Sequence, residues 1–346
     1  LSSFNFTSRL VGICGMNGVG KTNLLDAINY LCFSKSYFSR TDSINVENCF
    51  DGFRVEGEFE KKHSVETDKV ICTYRNTSKK ELYLNDVLYE KFSKHIGKFP
   101  CVVIAPDDIE IIAGSSDERR RFIDTVLSQM SPGYLQQLIT YNKILLQRNS
   151  LLKNFTGSTS DNLLLDVLDK QLLEPATNIF LLRTEFSEAL IPLVKDFYLK
   201  IAGTSENVDM IYESLLTNAD FAILLTESRP KDILLQRTTT GIHKDDLGIN
   251  LDGRSFKNLA SQGQRKSFLF ALKLAEFEIL KANKGFAPLL LLDDVFEKLD
   301  DNRMGNLLQW ICINNQGQVF ITDTQKQRLH DFLTQFSTDV QIIELN

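Results

Sequence analysis

A chain of 346 residues with 43% hydrophobic and 24% charged residues can bury a large core and form two or three domains. Its net charge of −6 argues against a wholly basic nucleic-acid binder but leaves room for a local basic face. No apolar run approaches the roughly 18 residues of a membrane span. The six cysteines (Cys14, Cys32, Cys49, Cys72, Cys101, Cys312) include no C-x-x-C pair, so reduced core thiols in a cytoplasmic protein are expected rather than disulfides or zinc ligands.

In chain order, Leu10-Val11-Gly12-Ile13-Cys14 reads as a short buried strand, and Leu24, Leu25, Ala27, Ile28 and Leu31 recur at helical spacing. Between them stands Gly15-Met16-Asn17-Gly18-Val19-Gly20-Lys21-Thr22, a G-x-x-x-x-G-K-T in the strand–loop–helix order of a P-loop. Its glycines let backbone N–H groups turn inward around an anion, and the helix N-terminus adds its positive end. Lys21 would reach the terminal phosphates of ATP and the Thr22 hydroxyl would hold Mg²⁺. A glycine-rich turn that only joins strand to helix is the plainer alternative.

Basic and aromatic residues interleave next, in Lys35-Ser36-Tyr37-Phe38-Ser39-Arg40-Thr41. Arg54–Phe59 and Val70–Tyr74 alternate in polarity as strands do, and Asn85-Asp86 is a two-residue hairpin signal, so an antiparallel β-layer is expected. Pro100–Ile104 is a further buried strand, ending at Ala105-Pro106-Asp107-Asp108. From Ser115 the pattern is helical for about a hundred residues, with Phe122, Ile123, Val126 and Leu127 on one face. Leu-rich helical segments follow at Leu135–Leu152, Leu163–Leu173 and Ile179–Leu199, with a Gly/Ser/Thr-rich break at Phe155–Asn162.

An α/β pattern restarts near Asp209. Leu247, Ile249 and Leu251 alternate, Ser261–Lys281 is a helix with Phe268, Leu272, Ala275 and Ile279 on one face, and Pro288–Leu292 is an unbroken apolar strand. Asn302–Ile313, Gln318–Thr322, Gln325–Phe336 and Val340–Leu345 complete the βα alternation. The expected fold is α/β: a P-loop domain with a mixed sheet and an antiparallel β-layer, plus an inserted helical domain. Residues 1–114 and 204–346 would form the ATPase domain in two halves, and 115–203 the insert.

Leu289-Leu290-Leu291-Leu292-Asp293-Asp294 has the form of a Walker B strand, whose end points into the crevice where α/β sheets bind ligands. Asp293 would complete the Mg²⁺ shell, and Asp294 would orient or deprotonate the attacking water. Ser261-Gln262-Gly263-Gln264 looks like the signature motif of ABC-type ATPases, although alone it is also a plain helix cap. In those enzymes this site contacts the γ-phosphate held by a second subunit, which implies that Ser261, Gly263 and Gln264 act across an ATP-dependent homodimer. Lys298-Leu299-Asp300 resembles their D-loop, adding Asp300 to the nucleotide contacts.

With these motifs the chain resembles the RecF family, bacterial recombination mediators related to the heads of SMC-type ATPases. The resemblance extends over Gly15–Thr22, Asn23-Leu24-Leu25-Asp26-Ala27, Ser39-Arg40-Thr41, Ala105–Asp108, Arg119-Arg120-Arg121-Phe122-Ile123-Asp124, Gly241–Leu247, Ser261–Lys266 and Leu292–Asp300. It implies a slow, DNA-stimulated ATPase that dimerises on ATP and binds DNA at single-strand gaps and ss/dsDNA junctions. With RecO and RecR such a protein helps load the RecA recombinase, in the cytoplasm and without a membrane partner. It extends the nucleotide site to Asn23, and it implies an extra strand before Leu1. Three positions depart from ABC enzymes: Asp294 replaces a catalytic glutamate, Ala105–Asp108 stands where a Q-loop glutamine is usual, and Thr322-Asp323-Thr324 replaces the switch histidine. All three fit slow hydrolysis.

The candidates for DNA contact are Lys35, Arg40, Lys61, Lys62 and Arg119-Arg120-Arg121, with Lys79 and Lys80 as a further pair. Three arginines opening a helix oppose its dipole, so either phosphates or carboxylates of the protein must compensate them. His243, beside Lys244 and Asp245, is either structural or DNA-facing. The rival readings are another SMC-like repair ATPase head, an ABC transporter ATPase and a non-hydrolysing DNA-binding scaffold. No stretch sustains the heptads of an SMC coiled coil.

Overall fold

The computed structural model describes residues 2–39, 41–47, 49–60, 67–77, 79–203, 206–294, 301–337 and 339–345, with Asp301 described in its backbone alone. Two compact units emerge, Leu1–Asp107 with Glu276–Asn346, and Asp108–Ala275.

In the first unit, β1 (Leu10–Cys14) runs through the P-loop into α1 (Lys21–Phe33). Four strands follow: β2 (Gly52–Glu60), β3 (Thr67–Arg75), β4 (Glu81–Leu84) and β5 (Val87–Leu88). They pair antiparallel in sequence order. The β4–β5 turn places Asn85 at φ 50° and Asp86 at φ 64°. Two successive left-handed residues are what a type I′ hairpin requires, which is why the Asn-Asp signal was informative. One face of this layer, including Phe53, Val55, Val70, Cys72 and Leu82, joins the core under α1.

β6 (Cys101–Ile104) leads out of the first unit. The second unit is built from α2 (Ile109–Ala113), α3 (Ser116–Met130), α4 (Pro132–Lys153), α5 (Thr159–Ala202), β7 (Val208–Glu213), α6 (Phe221–Leu235), β8 (Asp246–Leu251), β9 (Arg254–Ser255) and α7 (Phe256–Leu259). The chain boundary between the units lies within α8 (Gln262–Lys284), and β10 (Leu289–Leu292), α9 (Asp301–Gln309), β11 (Val319–Asp323), α10 (Lys326–Phe336) and β12 (Val340–Glu344) complete the first unit.

The five strands of the first unit's main sheet are parallel, in the order β12-β1-β11-β10-β6. Their register aligns Cys14 with Asp323 and Leu292 with both Ile321 and Ile104. The P-loop, Asp293, the end of β11 and Ala105 therefore all lie at the C-terminal ends of the parallel strands. β1 is buried throughout, as expected of a parallel strand covered on both faces.

The second unit departs from expectation in one helix. Leu163–Leu173 and Ile179–Leu199 read as separate segments, but α5 is one helix of 44 residues that passes through Pro175 and Pro192. A proline inside a helix costs about 3 kcal/mol. The compensation is a long buried stripe, Leu165, Leu168, Leu172, Ala176, Ile179, Phe186, Leu190, Val194, Phe197 and Ile201, which pays for the break in the hydrogen-bond ladder. The Ser158 hydroxyl caps the start by accepting the Asp161 N–H at 3.1 Å, and Gly203 ends the helix at φ 67°.

Candidate nucleotide site

Gly18 and Gly20 hold the P-loop open at φ 87° and 100°, and a Cβ added to either would meet nothing within 4 Å. The space they leave is a cradle, and an L side chain there would be strained. Gly20 is also the N-cap of α1 and supplies no side-chain cap, so the first-turn N–H groups and the positive end of the helix face that cradle. Lys21 is 5% exposed and arches back over the loop. Its Nζ donates to Gly15 O at 2.8 Å and Met16 O at 3.0 Å. Met16, Asn17, Gly18 and Asn23 are exposed, while Val19 is half-buried.

The Thr22 hydroxyl donates to Asp293 Oδ2 at 2.9 Å, joining residues 271 positions apart. Asp293 is 5% exposed. Its backbone N–H continues the β10–β6 ladder by donating to Ile104 O at 2.9 Å. Its other carboxylate oxygen, Oδ1, accepts the Thr322 hydroxyl at 2.8 Å. Among the described residues no lysine or arginine pairs with this carboxylate. An enclosed carboxylate held only by hydroxyls is costly without a cation, so the donor set of Thr22 and Asp293 fits Mg²⁺ beside an anion in the cradle. Asp294 follows at φ 45°, with its N–H donated to Thr322 Oγ1 at 2.9 Å.

In the stretch Thr322-Asp323-Thr324, Asp323 is buried and gripped by Arg328, whose Nε and Nη2 donate to it at 2.7 and 2.5 Å. Sequence reasoning missed Arg328. It sits in the first turn of α10, five residues after Asp323, and no local pairing rule joins those positions. In the stretch Ala105–Asp108, Asp107 is exposed, whereas Asp108, in the second unit, is buried with Lys273 Nζ 3.8 Å from its carboxylate.

In the second unit, Ser261 and Gln264 form a reciprocal capping box. Ser261 Oγ accepts the Gln264 N–H at 3.2 Å and Gln264 Oε1 accepts the Ser261 N–H at 2.8 Å. Gln264 Nε2 also donates to Glu206 at 3.0 Å. Ser261 is exposed and Gly263 half-buried. The motif thus caps its helix, with the serine exposed. Asp300 lies outside the described residues.

The basic candidates divide. Arg40, Lys61 and Lys62 lie outside the described residues. Lys35 and Lys79 are exposed. Lys80 is spent on Asp42, the Ser34 carbonyl and the Tyr30 hydroxyl. Arg119 makes a fork to Asp246 at 2.7 and 2.9 Å, and Arg120 binds Asp117 and the Asp245 carbonyl. Carboxylates of the second unit therefore compensate both. Arg121 pairs with Glu118 at 2.7 Å but keeps a side chain 65% exposed.

His243 is held inside the second unit. Its Nδ1 lies 2.7 Å from the Tyr141 hydroxyl and its Nε2 lies 3.2 Å from Thr238 O. A carbonyl only accepts, so Nε2 carries the proton and Nδ1 accepts from Tyr141. Burial pushes this imidazole down to about 4. Nearby stand two buried arginines that sequence reasoning did not single out. Arg148 binds Asp169, Asp232 and Thr238, and Arg183 binds Asp124, Asp245, the Tyr134 hydroxyl and the Ile242 carbonyl.

The family model described as RecF/RecN/SMC N-terminal domain matches residues 2–341. The DNA replication and repair protein RecF of Flavobacterium johnsoniae is 42% identical over 94% of this chain and 91% of its own length. The protein of that name from Bacteroides fragilis is 40% identical over 99% of this chain and 91% of its own. Among solved structures, the recombination mediator protein RecF-ATP in the RecFOR pathway superposes with a TM-score of 0.85 at 31% identity, covering 94% of this chain and 88% of that one. The Smc head domain of Pyrococcus furiosus shares the fold, with a TM-score of 0.54 at 14% identity over 97% of this chain and 87% of that one.

Proposed function

The chain belongs to the RecF family, and from that membership we propose that it is an ATP-dependent, DNA-binding recombination mediator. It acts in the cytoplasm at single-strand gaps and ss/dsDNA junctions, and helps RecO and RecR load the RecA recombinase. Residues 115–203 are the helical insert of an ATPase domain formed by 1–114 and 204–346.

ATP is held by Gly15, Met16, Asn17, Gly18, Val19, Gly20, Lys21, Thr22 and Asn23. Lys21 must swing from the loop carbonyls to the terminal phosphates. Thr22 and Asp293 hold Mg²⁺, which supplies positive charge to the phosphate oxygens. Asp294 orients the attacking water. With its carboxylate one methylene shorter than glutamate, and with Thr322-Asp323-Thr324 where ABC enzymes use a histidine, hydrolysis is slow and ATP serves as a dimerisation switch. Ser261, Gly263, Gln264 and Asp300 complete the site of a second copy. The observation that carries this reading is the 2.9 Å contact between Thr22 and Asp293 at the mouth of an open glycine cradle.

The test mixes two inactive variants, Lys21→Met and Ser261→Arg. In a two-fold dimer each composite site draws its P-loop and its signature from different chains. The mixed dimer then has one doubly defective site and one intact site. ATPase recovery on mixing is expected. Activity that stays first order in dilute, monomeric protein would reject the shared site.

A further inference from the structure

Thr322, the last residue but one of β11, has no exposed surface, and its one hydroxyl is used twice. The O–H donates to Asp293 Oδ1 at 2.8 Å and the oxygen accepts the Asp294 N–H at 2.9 Å. The directions are forced, because an ionised carboxylate only accepts and an amide N–H only donates. Neither contact is needed to build the strand. Packing alone would be met by valine, which has the same shape without the hydroxyl. Two further details give the arrangement a purpose. The Thr22 hydroxyl lies 2.9 Å from Asp293 Oδ2 and 3.2 Å from Oδ1, so two hydroxyls together fix the rotation of one carboxylate. Asp294 adopts φ 45°, which costs a non-glycine residue about 1 kcal/mol or more and persists only where its surroundings hold it.

We propose that Thr322 is a positioning residue for the Mg²⁺–ATP site: one hydroxyl sets the angle of the metal-binding carboxylate of Asp293 and locks the left-handed turn that aims Asp294. The assignment rests on the ATPase reading above. Removing the hydroxyl leaves the Asp293 oxygen and the Asp294 N–H without this partner in an enclosed site. Outer-shell partners of metal ligands typically change metal affinity by roughly 10- to 100-fold.

The experiment measures binding of a fluorescent ATP analogue to the full chain, with Mg²⁺ titrated in and separately in EDTA. Wild type is compared with Thr322→Val, Thr322→Ala and Thr322→Ser, each checked for folding by circular dichroism. Half-saturating Mg²⁺ is expected to rise at least about tenfold for valine and alanine. Serine keeps the hydroxyl and is expected to stay near wild type, and affinity in EDTA is expected to be equal in all four. Alanine keeps the test open if valine fails to fold. An unchanged Mg²⁺ requirement in a folded hydroxyl-free variant overturns the assignment, and so does an equal loss of affinity in EDTA. Wild-type binding that ignores Mg²⁺ overturns instead the ATPase reading on which the assignment rests.

Discussion

Acidification probes the interior of the second unit through His243. The ring is pushed from 6.5 down to about 4, chiefly by burial, with Lys244 and Arg120 adding to the effect and the Thr238 carbonyl and Asp232 opposing it. Protonation would also place a second N–H where Nδ1 now accepts the Tyr141 hydroxyl. Between pH 6.5 and 4 the unfolded chain takes up a proton that the folded chain refuses. Stability from this group is therefore complete above pH 6.5 and is lost as pH falls towards 4. A separation of some 2.5 units at about 1.4 kcal/mol each gives a loss of about 3 kcal/mol. His95, lowered by burial although its bond to the Leu31 carbonyl opposes the shift, acts in the same direction. With four histidines in the chain, the His243 resonance is identified by its disappearance in His243→Gln, and its titration is followed by NMR. The urea midpoint at pH 7 and pH 4.5 gives the thermodynamic counterpart, and the variant is expected to lose less stability over that interval than wild type. Titration of His243 near 6.5, or an identical pH dependence in the variant, would refute the reasoning.

Arg148→Met removes a fully buried guanidinium and strands Asp232, itself without exposed surface; a loss of about 3–5 kcal/mol in urea unfolding is expected, and less than about 1 kcal/mol would show that the network is dispensable. Arg119→Ala breaks the fork to Asp246 and should cost about 2 kcal/mol of stability. Arg121→Ala should change stability by under about 0.5 kcal/mol, since its one ion pair lies at the surface. If Arg121 meets a DNA phosphate, the same variant lowers the salt slope of DNA binding by about 0.9, and an unchanged slope removes it from the contact surface.

The sequence by itself determined the elements whose cause is local. The G-x-x-x-x-G-K-T loop, the apolar strand ending in Asp293-Asp294, the Asn85-Asp86 turn and the faces of α3 and α8 were legible because spacing and backbone chemistry act within a few residues. The Ser261–Gln264 cap was legible for the same reason. Local rules failed where a distant neighbour decides. Leu163–Leu173 and Ile179–Leu199 read as separate segments, yet burial along the whole length of α5 joins them into one helix through Pro175 and Pro192. Arg119 and Arg120 read equally well as phosphate ligands or as partners of carboxylates, and only the approach of β8 to α3 supplies Asp246 and the Asp245 carbonyl. Lys80, Arg148, Arg183 and Arg328 carry no mark in the chain to say that their charges are spent internally. Apolar periodicity records which face of an element is buried, because burial is a property of one element. Which charge meets which is a property of two elements, and only the tertiary structure, by bringing residues such as Thr22, Asp293 and Thr322 within 3 Å, decides it.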